Sequence, residues 1–173
     1  VQWFINDAPV STEAILTGGF VQGDTVRCVV TPFDGIDTGT QLEDSISLSN
    51  TAPEVAEVAI SPDPAVTGDT LTCSWSGFSD ADGDEDESTL QWFINDVSAS
   101  TWTSLSSGFV QGDVVRCLVT PHDGVDDGIP VEASITISNT LPTVTAASIS
   151  PDPAVTGDTL TCSWSGFSDA DGD

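Results

Sequence analysis

Apolar and polar residues alternate along most of the chain in short stretches, which Gly, Pro and Asp separate from one another. Alternation with a period of two predicts half-buried β-strands. No apolar stripe with the helical period extends beyond a turn or two, so we expect little helix. In the central part of the chain we predict strands over residues 54–60, 70–76, 90–95, 114–120 and 131–138, with one or two weaker strands within 98–105.

The same alternation predicts which side chains face a common core. On four of these strands the apolar positions fall on one face. Two sheets that bury such faces against each other form a sandwich. The predicted inward residues are Leu71, Cys73, Trp75, Leu90, Trp92, Ile94, Val115, Cys117, Val119, Ile135 and Ile137.

The chain repeats itself at a spacing of 89 residues. Residues 60–84 recur without a single change at 149–173, and Cys28 and Cys73 correspond to Cys117 and Cys162. This spacing exceeds the repeats of roughly 20–50 residues that build solenoids, and it suits a small all-β domain with its own core. We therefore predict a complete domain over residues 50–138, the end of a preceding domain at 1–49 and the start of another at 139–173, in a window on a longer array.

The charge balance excludes several classes of partner. The formal net charge is −26, because 28 acidic residues face two arginines, Arg27 and Arg116, and no lysine. Nucleic acids and anionic membranes both require basic patches, so we expect neither as a partner. No apolar run has the length of a membrane span, and we expect no membrane insertion in this stretch. Two explanations of the acidity stay open: cation binding, and an acidic surface typical of marine or halophilic proteins.

The cysteines predict disulfides and not a zinc site, because no Cys-x-x-Cys motif is present. Their nearly even spacing alone leaves three neighbouring pairs open: 28–73, 73–117 and 117–162. The predicted domain boundary, at the linker over residues 50–53, selects Cys73–Cys117, one disulfide per domain. Cys28 and Cys162 would then pair with cysteines outside this sequence. Disulfides imply an oxidising compartment, so we expect an extracellular or cell-surface location.

A Cys on the second predicted strand, a Trp on the third and a Cys on the sixth (Cys73, Trp92 and Cys117) resemble the pattern of immunoglobulin-like sandwiches. The tyrosine of that fold's tyrosine corner is absent. Residues 78–84 resemble the Asp-Pro-Asp-Gly-Asp segment of PKD-type domains, although the Trp-x-Phe-Gly-Asp-Gly signature of that family is missing. The resemblance implies tandem immunoglobulin-like or PKD-like β-sandwich repeats of about 89 residues, as in large secreted or surface bacterial proteins of the adhesin-stalk or fibre type.

The candidate metal site consists of two acidic loops, the first over residues 80–88 and the second over residues 121–128. Alternating aspartates can surround a cation such as calcium, which takes six to eight oxygen ligands. In an immunoglobulin-like sandwich both loops lie at the pole where the linker over residues 50–53 enters, whereas the turns at Asp63, Asp69 and Asp113 lie at the opposite pole. A solvated acidic loop without metal is the alternative. The predicted calcium ligands are Asp80, Asp82, Asp84 and Asp86, assisted by Asp123 or Asp126, with Asp169, Asp171 and Asp173 as their counterparts in the next copy.

Two aromatic residues are predicted to face outward. Phe93 points away from Trp92 on its strand, and Trp102 corresponds to Glu13 in the other copy, so neither is required by the core. An outward Trp on a sandwich could stack on sugar rings, or it could contact a neighbouring domain or strand. Both interpretations stay open.

The sequence shows no catalytic constellation, and we predict that this segment is not an enzyme. His122 is replaced by Phe33 in the other copy, and paired carboxylates arise by chance on so acidic a surface. We predict a structural repeat segment of an extracellular fibre or surface-protein stalk, acting as a stiff spacer. Its partners would be neighbouring domains of the same chain and copies of itself in a filament. The alternative is a ligand- or carbohydrate-binding module of a secreted protein.

Overall fold

The structure, a computed structural model, describes residues 1–172 and is all-β. Within these residues it contains thirteen strands and no helix, which confirms the predicted fold class at that level. The first four strands are β1 (Gln2–Ile5), β2 (Ala8–Ser11), β3 (Thr25–Val30) and β4 (Leu42–Ser47). The others are β5 (Glu57–Ser61), β6 (Leu71–Ser76), β7 (Thr89–Ile94), β8 (Val97–Ser100), β9 (Ser104–Leu105), β10 (Val114–Thr120), β11 (Val131–Thr136), β12 (Ala146–Ser150) and β13 (Thr161–Ser165).

The chain divides into two compact units, each made of several segments. Unit 1 comprises Val1–Glu54, Phe78–Glu87 and Pro121–Ile129. Unit 2 comprises Val55–Gly77, Ser88–Thr120 and Pro130–Asp173, of which residue 173 is not described. The predicted domain boundaries at 49/50 and 138/139 stay predictions.

Unit 1 contains one four-stranded antiparallel sheet in the order β2-β1-β3-β4. A two-residue turn at Asn6 and Asp7 joins β1 to β2, and both residues have positive φ, 49° and 64°. Such turns match the twist of a hairpin, and Asn and Asp tolerate this conformation better than most residues do. Val26 and Val29 of β3 are the buried apolar residues of this sheet.

Unit 2 contains a sandwich-like pair of sheets, β11-β10-β7-β8 and β5-β6-β9, and a separate hairpin of β12 and β13. Its core gathers around Trp92, which is fully buried opposite Cys117 on β10. The predicted inward residues are confirmed. Leu71, Cys73, Leu90, Trp92, Val115, Cys117, Val119 and Ile137 are buried, and Trp75, Ile94 and Ile135 are partly buried against them.

The Cys73–Cys117 disulfide is confirmed. It links β6 of one sheet to β10 of the other, with the two Cα atoms 6.3 Å apart. Cys28 is a half-buried free thiol and Cys162 an exposed one. Their pairing with cysteines outside this sequence stays a prediction.

Two strand ends differ from the prediction by two or three residues, and the other ends of the five main predicted strands agree to within one residue. The strand expected over 54–60 begins only at Glu57, because Glu54 instead exchanges two backbone hydrogen bonds with Ser79, both of 2.9 Å. The strand expected over 131–138 ends at Thr136. Beyond it, the Ile137 amide donates to the Asp113 carbonyl, 2.9 Å away, in the turn before β10. One or two weaker strands were expected within 98–105; the structure has β9 in that range and β8, which begins one residue earlier, at Val97.

The outward face of β10 carries Arg116, whose guanidinium lies 4.2 Å from the centre of the Phe93 ring. The same guanidinium donates to Glu132 at 3.0 Å and to Asp96 at 3.2 Å. In the other copy Arg27 makes the corresponding contacts with Phe4, Glu43 and Asp7. The Phe93 ring, predicted as a surface contact, is therefore covered by a cation of its own chain.

Candidate acidic linker site

Asp80 organises the first acidic loop through one of its two carboxylate oxygens. Oδ1 accepts backbone N–H bonds from Asp82 and Gly83 at 2.8 Å and from Asp84 at 3.1 Å. An aspartate that bonds to amides two to four residues ahead offers the backbone a turn in place of a strand. The loop therefore bends around Asp80, whose Oδ1 is already satisfied.

Asp123 does the same in the second acidic loop. Its Oδ1 accepts from the amides of Val125 at 2.8 Å and Asp126 at 2.7 Å. The residue is only 6% exposed, which makes it the buried charged residue of the described chain. The two acidic loops thus have the same local construction, and both belong to unit 1.

The linker residues before Pro53 bind to both loops. The Asn50 Nδ2 donates to Asp123 Oδ2 at 2.8 Å and to Asp126 Oδ2 at 3.0 Å. The Thr51 amide donates to Asp82 Oδ2 at 2.7 Å. We name Asn50, Thr51, Asp82, Asp123 and Asp126 the linker site, because these contacts fix the start of the predicted domain to its own loops.

Gly128 lets the linker approach the second loop closely. A Cβ placed on this residue would lie 1.9 Å from the Pro53 carbonyl oxygen and 3.1 Å from Pro121 Cβ. At Gly39, the corresponding position of the other copy, a Cβ would meet the Pro32 side chain, 3.1 Å away. Glycine at 128 is therefore required by the passage of the linker backbone.

Asp123 and Asp84, one in each acidic loop, have pKa values that are shifted in opposite directions. The hydrogen bond from Asn50, followed by the amide bonds of its own loop, lowers the pKa of Asp123 against the effect of burial. Burial, followed by the negative charges of Asp80, Asp123 and Asp82, raises the pKa of Asp84. A carboxyl group whose pKa is lower in the folded than in the unfolded chain stabilises the fold at pH values above its unfolded pKa. The stabilisation by Asp123 is therefore lost as the pH falls through its folded pKa.

Two carboxylate oxygens in the first loop are buried without a hydrogen-bond partner, Asp80 Oδ2 and Asp84 Oδ2. A buried acceptor that lacks a donor is costly, and two that carry negative charge near each other are more so. A hard cation is the group that would satisfy them. Within residues 1–172, however, no three His, Cys, Asp or Glu side chains form a preassembled metal site. These two oxygens therefore fit a cation only as part of its ligand set.

The same arrangement recurs 89 residues later, within unit 2. The Thr140 amide donates to Asp171 Oδ2 at 2.5 Å, as Thr51 does to Asp82. Asp169 Oδ1 accepts from the Asp171 amide at 2.8 Å, as Asp80 does from Asp82. Asp171 also accepts from the Thr67 hydroxyl, and this bond, followed by that from Thr140, lowers its pKa.

The predicted residues still to be placed are Asp86, Asp173 and Trp102. Asp86 is exposed, Asp173 lies outside the described residues, and Trp102 is 79% exposed. Sequence reasoning did not predict that the linker residues Asn50 and Thr51 would bond to the loops. The available signal was the recurrence of Asn-Thr-x-Pro at 50–53 and 139–142 beside each repeated acidic loop.

Residues 1–172 contain no helix that is both long and apolar enough to cross a bilayer. Comparison with known proteins yields no family: no protein-family model matches the chain, and no curated protein matches it.

Proposed function

We propose that the chain is a structural repeat segment of an extracellular fibre or surface-protein stalk, in which tandem immunoglobulin-like domains of about 89 residues act as a stiff spacer. One observation carries the proposal. The bond from a linker threonine amide to a loop aspartate occurs twice, Thr51 to Asp82 and Thr140 to Asp171, at the period of the sequence. A linker that is fixed in the same way at each repeat limits the freedom of one repeat against the next.

The composition of the linker supports the same function. Pro53 and Pro142 each restrict the preceding residue to extended conformations. No glycine lies within 50–53 or 139–142, so the linkers lack the slack of a flexible tether. The Cys73–Cys117 disulfide joins two sheets, and a force along the chain could not separate them fully without breaking a covalent bond. Disulfides also favour an extracellular setting.

Small-angle scattering on chains of two, four and six repeats tests the spacer function. We expect the maximum dimension to grow in proportion to the number of repeats, because each fixed linker adds the same length. Growth closer to the square root of the repeat number is the behaviour of freely hinged domains, and it would contradict a stiff spacer. As a control, an otherwise identical chain with Gly-Ser in place of residues 50–53 and 139–142 should show the weaker growth.

We also propose that calcium binds at the first acidic loop of each repeat and stiffens it. Asp80 and Asp84 would hold the ion through their partnerless buried oxygens, and water would complete its coordination. Calcium would supply positive charge where burial and neighbouring carboxylates oppose ionisation of Asp84. Asp82, Asp123 and Asp126 already accept bonds from the linker, so they would act chiefly by attracting the ion.

Calcium at millimolar concentration is expected to raise the melting temperature, because a ligand that binds only the folded chain stabilises it. Each kcal/mol gained corresponds to about 4–8 °C for a domain of about 60–100 residues. Asp80→Asn with Asp84→Asn should abolish the rise, since the amide oxygen introduced at position 80 can still organise the loop while the charged oxygens are lost. Asp44→Asn, on exposed β4, is the matched control and should keep the full rise. An unchanged melting curve for the unsubstituted chain would contradict the proposal.

The exposed Trp102 is the feature that supports the carbohydrate-binding alternative, but a comparison of the two copies favours the spacer. Its exposed ring borders a shallow groove of about 380 Å³, lined by Gln91, Ser98, Ala99, Ser100 and Thr101. The corresponding residue of the other copy is Glu13, which lacks an aromatic face. A function shared by all repeats cannot depend on a ring that one of them lacks.

A further inference from the structure

The linker asparagine makes different contacts in the two copies. Asn50 uses its Nδ2 to bond to Asp123 and Asp126, which follow it in the chain, while its buried Oδ1 has no hydrogen-bond partner within residues 1–172. Asn139 accepts from Gln111 Nε2 through its Oδ1, at 2.8 Å, while its Nδ2 donates to the Thr140 carbonyl at 2.9 Å. Because Gln111 precedes this linker, the Oδ1 of Asn139 bonds to the preceding repeat, whereas the Nδ2 of Asn50 bonds to the following one.

The backbone brings the corresponding glutamine to the first linker as well. The Gly112 amide, next to Gln111, donates to the Ile137 carbonyl at 2.9 Å. At the matching position, the Gly23 amide donates to the Leu48 carbonyl at 3.0 Å. Each carbonyl lies two residues before a linker asparagine. The same backbone bond therefore places Gln22 beside the linker that begins at Asn50.

In the second copy Thr67 contacts the turn that carries Gln111. The Gln111 amide donates to Thr67 Oγ1 at 3.0 Å, and the Thr67 hydroxyl donates to Asp171. Val1 matches position 90 at the 89-residue spacing, so residues 1–49 include no counterpart of Thr67. Gln22 therefore has the same backbone setting as Gln111, without the threonine contact that holds the turn.

We propose that Asn50 joins two successive repeats at once. Its Nδ2 donates to Asp123 and Asp126 of the repeat that it opens, and its Oδ1 accepts from Gln22 Nε2 of the preceding repeat. A carboxamide carries a donor and an acceptor on one planar group, which this position requires. An aspartate would place a third carboxylate against the other two. This bridge rests on the proposed spacer function. It identifies Gln22 and Asn50 as the residues that meet at the junction between two repeats.

Hydrogen exchange of the Thr51 amide in the full chain, followed by NMR, measures how often the linker opens. Gln22→Ala should accelerate this exchange about five-fold, the effect of losing one ordinary hydrogen bond. Asn50→Ala should accelerate it more, since both ends of the bridge are lost. Gln22→Ala should then have no added effect in the Asn50→Ala background. Gln111→Ala, whose contact is seen directly, serves as the positive control and should accelerate exchange at Thr140.

The amides of β10 should keep their exchange rates in every variant, which shows that the fold is intact. The bridge would be overturned if Gln22→Ala left the exchange rate of the Thr51 amide unchanged. It would also be overturned if the accelerations caused by Gln22→Ala and Asn50→Ala multiplied in the double variant. Scattering separates this failure from that of the spacer. If the maximum dimension grows in proportion to the number of repeats but Gln22 and Asn50 show no coupling, the chain is a stiff spacer without the bridge. If the two residues are coupled but the maximum dimension grows as the square root of the repeat number, the bridge is present and the spacer function fails.

Discussion

Reduction of the Cys73–Cys117 disulfide is expected to lower the free energy of unfolding by about 4 kcal/mol, the value that the chain-entropy model gives for a loop of this length. The two cysteines are 44 residues apart in sequence, and both are buried, at 3% and 0% exposed. Once the bond is cut, the unfolded chain gains conformations that the loop had excluded. Urea unfolding followed by circular dichroism, with and without reductant, measures the loss.

The free cysteines provide the control. A chain with Cys28→Ser and Cys162→Ser should unfold at the same urea concentration as the unsubstituted chain, and it should respond fully to reductant. Cys73→Ala with Cys117→Ala should already be destabilised and should not respond further. A peptide map that links Cys28 to Cys73 would overturn the assignment of the bond, and with it the predicted domain boundary.

Replacing Trp92 by Ala is expected to cost about 3–5 kcal/mol, the usual loss when a large aromatic side chain is removed from a core. Trp92 is 0% exposed, lies opposite Cys117 and donates from Nε1 to the Trp102 carbonyl at 2.8 Å. The substitution leaves a cavity next to the disulfide and a carbonyl without its donor. Urea unfolding should therefore show an early transition for unit 2.

Trp3 is the matched control for Trp92. It occupies the corresponding position, faces Cys28 in the same register and donates from Nε1 to the Glu13 carbonyl at 3.0 Å. It is only partly buried, so Trp3→Ala should cost clearly less. Since both tryptophans make the same hydrogen bond, the difference between the two variants reports the effect of burial. Equal losses would contradict the central place of Trp92 in the core.

The core and the disulfide could be predicted because both follow from local pattern. Period-two alternation identified Leu71 and Val115 as inward, and the linker position selected the pairing of Cys73 with Cys117. Strand ends were predicted less well. Ile137 keeps its inward position although β11 ends before it: its amide donates to the Asp113 carbonyl and its carbonyl accepts from the Gly112 amide, in a turn distant in sequence.

The linker site lay beyond sequence reasoning because each of its bonds joins distant segments. Asn50 and Asp123 are 73 residues apart, and no local pattern records their meeting. The acidic loop is also less uniform than its sequence indicates. Alternating aspartates suggested equivalent ligands, whereas Asp80 Oδ1 accepts three amides of its own loop and Asp82 accepts the Thr51 amide. Backbone donors compete with a cation for the same oxygens, and composition cannot say which of them prevails.

Arg27 and Arg116 are each held by two carboxylates and an aromatic ring of their own copy. The chain has no other Arg or Lys, so one molecule has no spare basic side chain to present to the acidic surface of a second. Side-by-side packing would press like charges together, and at physiological salt those charges repel over a Debye length of about 8 Å. We therefore expect side-by-side association of such chains to depend on the dissolved cations around them, and low salt to keep the chains apart.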